Sequence, residues 1–122
     1  MAKVLVVEDD RFLTSAYKAK LVRSGFDVQI ASDGEEALEI LKTFVPDIIL
    51  LDLVMPRKDG FATLAEIKQQ EALKNIPVIV ASNLGQKEDL DRAMSLGAQD
   101  YIIKSDLSMD ALIGKINETI KA

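Results

Sequence analysis

Apolar and polar positions along the chain follow two alternating rhythms. Five short runs are β-prone: Lys3–Val7, Asp27–Ala31, Asp47–Asp52, Val78–Ser82 and Asp100–Lys104. Val4–Val7, Ile48–Leu51 and Val78–Ala81 are unbroken apolar stretches, as expected of parallel strands covered on both faces. Asp27–Ala31 alternates instead, which suits a sheet edge. Between the runs the spacing becomes helical. Ala37, Leu38, Leu41 and Phe44 share a face of the second helix, Leu90, Ala93 and Met94 of the fourth, and Leu112, Ile113, Ile116 and Ile120 of the fifth. Gly25 and Gly97 fall just past helical patterns, where a left-handed residue commonly ends a helix. Ser32 or Asp33 is placed to cap the helix that begins near Gly34. Strict strand–helix alternation predicts right-handed crossovers, with helices on both faces of a parallel sheet.

Composition narrows the chemistry. The chain has 122 residues, and the expectation is one domain over residues 1–122. It contains neither cysteine nor histidine. That excludes disulfides, thiol nucleophiles, imidazole bases, the usual zinc ligands and a phosphohistidine carried by this chain. Reactivity must rest on carboxylates, hydroxyls, lysines and backbone groups. The net charge is −5 and the basic residues are scattered; with no basic face, direct nucleic-acid binding is not expected. No apolar stretch approaches the roughly 20 residues that span a bilayer, so membrane insertion is not expected. The sequence opens directly into a strand-like run without a signal peptide, and the expected compartment is the cytoplasm.

Glu8, Asp9 and Asp10 follow the first strand at once, and Asp52 closes the third. In doubly wound parallel sheets, ligands bind beyond the carboxyl ends of the strands, at the topological switch point. If those strands are neighbours, the carboxylates share one crevice and repel one another unless a cation is present. Oxygen ligands with open positions suit Mg²⁺. A single loop acid is ordinarily a solvated charge. Asp52 differs because its neighbours on both sides are apolar, and a carboxylate there needs a partner. Ser82 ends the fourth strand and Lys104 the fifth. Alone, each is an ordinary turn or surface residue. Together they add a hydroxyl and a cation, the groups that stabilise a transferring phosphoryl group.

Four motifs now fall into order: VLVVEDD at 4–10, DIILLDLVMPRKDG at 47–60, VIVAS at 78–82 and YIIK at 101–104, with SDGEEAL at 32–38 as a weaker fifth. With them the chain resembles the receiver domain of two-component response regulators over essentially its whole length. The resemblance implies a flavodoxin-like doubly wound (βα)5 three-layer sandwich with strand order 2-1-3-4-5. It implies that Asp52 accepts a phosphoryl group. Mg²⁺ would be held by Asp9, by Glu8 through water, by Asp52 and by the backbone carbonyl of Val54. Lys104 would pair with the phosphoryl group and Ser82 would hydrogen-bond to it once attached. Tyr101 would be the aromatic that turns inward as Ser82 moves, or simply a half-buried strand tyrosine. Asp10 lies outside the metal pair, as a solvated neighbour or a helix N-cap.

The implied partners are a histidine kinase or phosphotransfer protein and a downstream target that reads the fourth helix, fifth strand and fifth helix. The protein would be a monomer or weak dimer, and a switch rather than an enzyme. A phosphorylation-independent binding module of the same fold is the alternative. Val54 stands where a phosphatase of the haloacid dehalogenase type needs a second aspartate. Acids also replace the phosphate-binding loop of a flavodoxin. The chain departs from the family pattern at Ser105, where proline is usual, at Asn83, and at the apolar pair Val54 and Leu84. The first predicts either a trans Lys104–Ser105 bond with a reshaped loop or a retained cis bond. The apolar pair predicts slow loss of the phosphoryl group, because neither side chain orients an attacking water.

Overall fold

The computed structural model describes residues 2–106 and 108–121. The elements alternate throughout: β1 (Lys3–Val7), α1 (Arg11–Arg23), β2 (Asp27–Ala31), α2 (Gly34–Ile40), β3 (Ile48–Leu51), α3 (Gly60–Gln69), β4 (Val78–Ser82), α4 (Lys87–Ser95), β5 (Asp100–Ile103) and α5 (Met109–Lys121). A single 3-10 turn over Lys104–Asp106 follows β5. All strand pairs are parallel and the order is β2-β1-β3-β4-β5, the doubly wound sheet expected. The alternating β2 lies at an edge, as its pattern requires.

The pleat divides the apolar strand residues between two cores. Leu5, Val7, Ile49, Leu51, Val78 and Val80 face Ala37 of α2, Leu64 and Ile67 of α3 and Ala93 of α4. Val4, Val6, Ile48, Leu50, Ile79 and Ile102 face Tyr17 and Leu21 of α1 and Leu112, Ile113 and Ile116 of α5. Burial on both sides is why β1, β3 and β4 carry no polar residue beyond Lys3 at one end and Ser82 at the other.

The caps follow the sequence. Asp10 is the N-cap of α1, its carboxylate accepting from the amides of Phe12 (2.9 Å) and Leu13 (3.2 Å). Asp33, rather than Ser32, caps α2. Asp33 accepts from the Glu36 amide, and the Glu36 carboxylate accepts in return from the Ser32 amide, a reciprocal pairing of the capping-box kind. Gly25 and Gly97 adopt the positive φ angles expected at helix ends, 93° and 104°.

Three details differ from the pattern. The ladders stop at Leu51 and Ile103, so Asp52 and Lys104 open loops and their side chains stand beyond the sheet rim. The second helix ends at Ile40; Leu41 lies in the turn after it and Phe44 just beyond that turn. β-branched Thr43 and Val45 and then Pro46 do not continue a helix, yet Leu41 is still buried and Phe44 packs on the core. In α4 only Ala93 is buried, while Leu90 and Met94 are exposed. A single small residue forms the contact line, which leaves the larger side chains at the helix margins.

Candidate functional site

Strand register assembles the site. Val7 pairs with Leu51, so the next residues, Glu8 and Asp52, stand level at the carboxyl ends of adjacent central strands. The Asp52 amide donates to the Val7 carbonyl (2.9 Å), which continues the ladder one step past the strand. Glu8, Asp9 and Asp52 each offer a carboxylate oxygen, and these lie within 4.8 Å of one another. Glu8 and Asp52 are buried at 3% and 7% exposure; Asp9 is exposed. Bonds of ~2.1 Å to an octahedral Mg²⁺ put its ligand oxygens at most ~4.2 Å apart. Three carboxylates gathered this closely match the all-oxygen donor set that such an ion takes.

Lys104 provides the counter-charge from the far side of the rim. Its ammonium donates to Glu8 and lies 3.4 Å from Asp52. Burial alone would lower the Lys104 pKa, but the Glu8 hydrogen bond and the Asp52 charge outweigh it, and the pKa is raised. Burial, with the nearby Asp52 charge, raises the pKa of Glu8 against the lowering effect of Lys104 and the Asp10 amide. The backbone helps as well. The Leu53 amide donates to Asp52 (2.8 Å), and the Asp10 amide to Glu8 (3.1 Å).

Ser82 is fully buried at the end of β4. Its hydroxyl oxygen accepts from the Leu84 amide (3.2 Å), while the Tyr101 hydroxyl donates to the Leu84 carbonyl (2.6 Å). Tyr101 is half-buried, and its hydroxyl ties β5 to the β4–α4 loop. Burial and the charge of Asp89 raise its pKa. Asn83 and Ser105 are exposed. Among the described residues no peptide bond is cis, so Lys104–Ser105 is trans and the reshaped loop is the 3-10 turn. Val54 lies in the β3–α3 loop with its side chain exposed, and Leu84 packs partly against the core.

Gly60 closes that loop. Its amide donates to the Leu53 carbonyl (2.9 Å). A Cβ there would lie 2.2 Å from the Asp52 carbonyl oxygen and 2.6 Å from the Leu53 Cα, so only glycine lets α3 begin against the acid-bearing backbone. Two further residues carry no mark in the spacing. Tyr17 is buried beside a cavity of about 290 Å³ that Leu13, Ala81 and Lys104 also line; its helical period reads simply as core. Arg57 adopts a φ of 62° and pairs with Asp33, a contact between two loops that the sequence leaves unconnected.

Comparisons with known proteins identify the family and the fold. A family profile described as the response regulator receiver domain matches residues 4–117. The transcriptional regulatory protein CpxR of Klebsiella pneumoniae is 44% identical over 104 residues, covering 85% of this chain and 43% of that protein. The chain thus spans less than half the length of the curated relatives it matches. The receiver domain of Francisella response regulator 1452 superposes with a TM-score of 0.90 at 36% identity, over 99% of this chain and 98% of that one. The phosphorylated cyanobacterial phytochrome response regulator RcpA superposes with a TM-score of 0.84 at 33% identity, over 96% and 89%.

Proposed function

The chain belongs to the response regulator receiver domain family, and we propose that within it Asp52 is the phosphoacceptor. The observation that carries this reading is the convergence of Glu8, Asp9 and Asp52 at one rim with Lys104 against them. Asp52 supplies the nucleophile, a carboxylate held by the Leu53 amide so that one oxygen keeps a fixed bearing. That oxygen attacks the phosphorus of a partner's phosphohistidine. The new O–P bond forms as the P–N bond breaks, and the partner's imidazole leaves with the bonding pair. Lys104, already charged and partly buried beside the acids, neutralises oxygens of the incoming group without having to be recruited from solvent.

Glu8, Asp9, Asp52 and the Val54 carbonyl would hold Mg²⁺, whose chemistry here is neutralisation of phosphoryl charge. Once Asp52 carries the group, the Ser82 hydroxyl moves to donate to a phosphoryl oxygen, which draws its oxygen away from the Leu84 amide that donates to it. Because Tyr101 holds the carbonyl of the same Leu84 residue, that movement biases the β4–α4 loop and β5 together. The readout surface is α4, β5 and α5, and a target protein binds the phosphorylated arrangement more tightly. The donor is a histidine kinase or phosphotransfer protein, in the cytoplasm. Val54 and Leu84 orient no water, so the acyl phosphate hydrolyses slowly.

Incubation with acetyl phosphate and Mg²⁺, followed by intact mass, tests the assignment. A single phosphoryl adduct on the wild type and none on Asp52→Asn supports it. An adduct of equal yield on Asp52→Asn contradicts it.

A further inference from the structure

Arg57 is the one non-glycine residue with positive φ among the described residues, at 62°. That conformation is uncommon and costly for a long side chain, so the surroundings must hold it. The Arg57 guanidinium donates twice to one oxygen of Asp33, from Nε at 2.7 Å and from Nη2, and Nε lies 3.8 Å from Glu35. The Asp33 side chain is only 3% exposed, and its other oxygen accepts from the Glu36 amide at 2.9 Å. The adjacent backbone makes the same connection. The Gly34 amide donates to the Lys58 carbonyl at 3.3 Å. A Cβ on Gly34 would meet that carbonyl at 2.8 Å and the Thr63 hydroxyl at 1.9 Å.

On its other side the same short segment reaches the first acidic loop, because the Glu8 amide donates to the Ala31 carbonyl at 2.9 Å. Residues 31–34 therefore bridge the loop bearing Glu8 and Asp9 and the loop bearing Asp52 and Val54, yet supply no ligand. We infer that Asp33 and Arg57 are positioning residues for divalent-metal binding. Their ion pair sets the β3–α3 loop against the β1–α1 loop and keeps the Val54 carbonyl and the carboxylates in register for one ion. This inference rests on the functional reading above.

Its sign separates it from simple electrostatics. Removing a cation near a metal site should tighten Mg²⁺ binding through space. Loss of positioning should weaken it. Calorimetric titration with MgCl₂ of the wild type, Arg57→Gly, Asp33→Asn and the double variant decides between them. Glycine adopts a φ of 62° without strain, so Arg57→Gly retains the fold, which circular dichroism checks. Interactions that orient metal ligands are worth about 10–100-fold in affinity when close to the ion; one loop further out, Arg57→Gly should weaken Mg²⁺ about fivefold. The double variant should bind no more weakly than Asp33→Asn, since both changes cut one link. Arg57→Lys keeps the charge but not the paired N–H groups and should show an intermediate loss. Unchanged or tighter binding by folded Arg57→Gly, or additive losses, overturns the inference. A wild type that binds no Mg²⁺ overturns the functional reading instead, and this inference with it.

Discussion

Lys104→Met isolates what holds two buried acids together before any metal binds. Methionine keeps most of the stem volume, so the principal loss is the ammonium. That group lies 3.4 Å from Asp52 and also pairs with Glu8, and the side chains of all three are at most 14% exposed. At an effective dielectric constant of about 20, one such contact is worth roughly 5 kcal/mol before desolvation is counted. Lys104 gives up hydration to sit there, which offsets part of the gain. Removing one partner nevertheless strands the other as a buried charge, and such losses run at about 3–5 kcal/mol. Here Glu8 and Asp52 are both stranded and repel each other. Urea unfolding at pH 7 in EDTA should show the variant less stable by about 3 kcal/mol, a midpoint lower by roughly 1–3 M. Saturating Mg²⁺ restores a counter-charge, so it should stabilise the variant more than the wild type. Equal stability in EDTA, or equal gains from Mg²⁺, would refute the claim that Lys104 is the resident counter-ion.

Three other substitutions probe the frame around the acids. Gly60→Ala places a methyl 2.2 Å from the Asp52 carbonyl oxygen and 2.6 Å from the Leu53 Cα; the obstruction is backbone, so unfolding should show a loss of about 2–3 kcal/mol, and acetyl phosphate labelling should slow as Asp52 is displaced. Tyr101→Phe deletes the hydroxyl bonded to Leu84 and should cost about 1 kcal/mol; faster amide hydrogen exchange at Leu84 is the expected signature, and unchanged exchange would argue against the tie. Asp33 has a lowered pKa, through the Glu36 amide first and, against some burial, through Arg57. A depressed folded-state pKa gives stability that is complete above the unfolded value and lost as pH falls through the folded one. The stability gap between wild type and Asp33→Asn should therefore be constant above about pH 5 and narrow below about pH 4. A gap that does not narrow on acidification would show that the Arg57 pair does not stabilise the ionised carboxylate.

The parts of this molecule that were legible in sequence are those where one residue type has few uses. Short continuous apolar runs rich in Ile, Leu and Val, such as Ile48–Leu51, read as strands covered on both faces, and the alternation in Asp27–Ala31 marks an edge. Acids placed directly after apolar runs, at Glu8, Asp9 and Asp52, could be assigned to one rim once the two strands were taken as neighbours. Contacts whose cause is tertiary were not legible. Nothing in the helical period distinguishes Ala93, which meets the core, from Leu90 and Met94, which do not, because the distance between helix and sheet decides it. The Arg57–Asp33 pair spans 24 residues and depends on a positive φ at an arginine, a conformation that sequence preference argues against. The link from Ser82 through Leu84 to Tyr101 runs through Leu84 backbone atoms, which no side-chain pattern reports.

Borohydride reduction of the protein after reaction with acetyl phosphate reads the central claim at the level of one residue, because it converts an aspartyl phosphate to homoserine. Peptide mapping should recover homoserine at position 52, in a yield that depends on Mg²⁺ and falls sharply in Lys104→Met. Reduction at another acid, or a yield at position 52 indifferent to both Mg²⁺ and Lys104, would contradict the account.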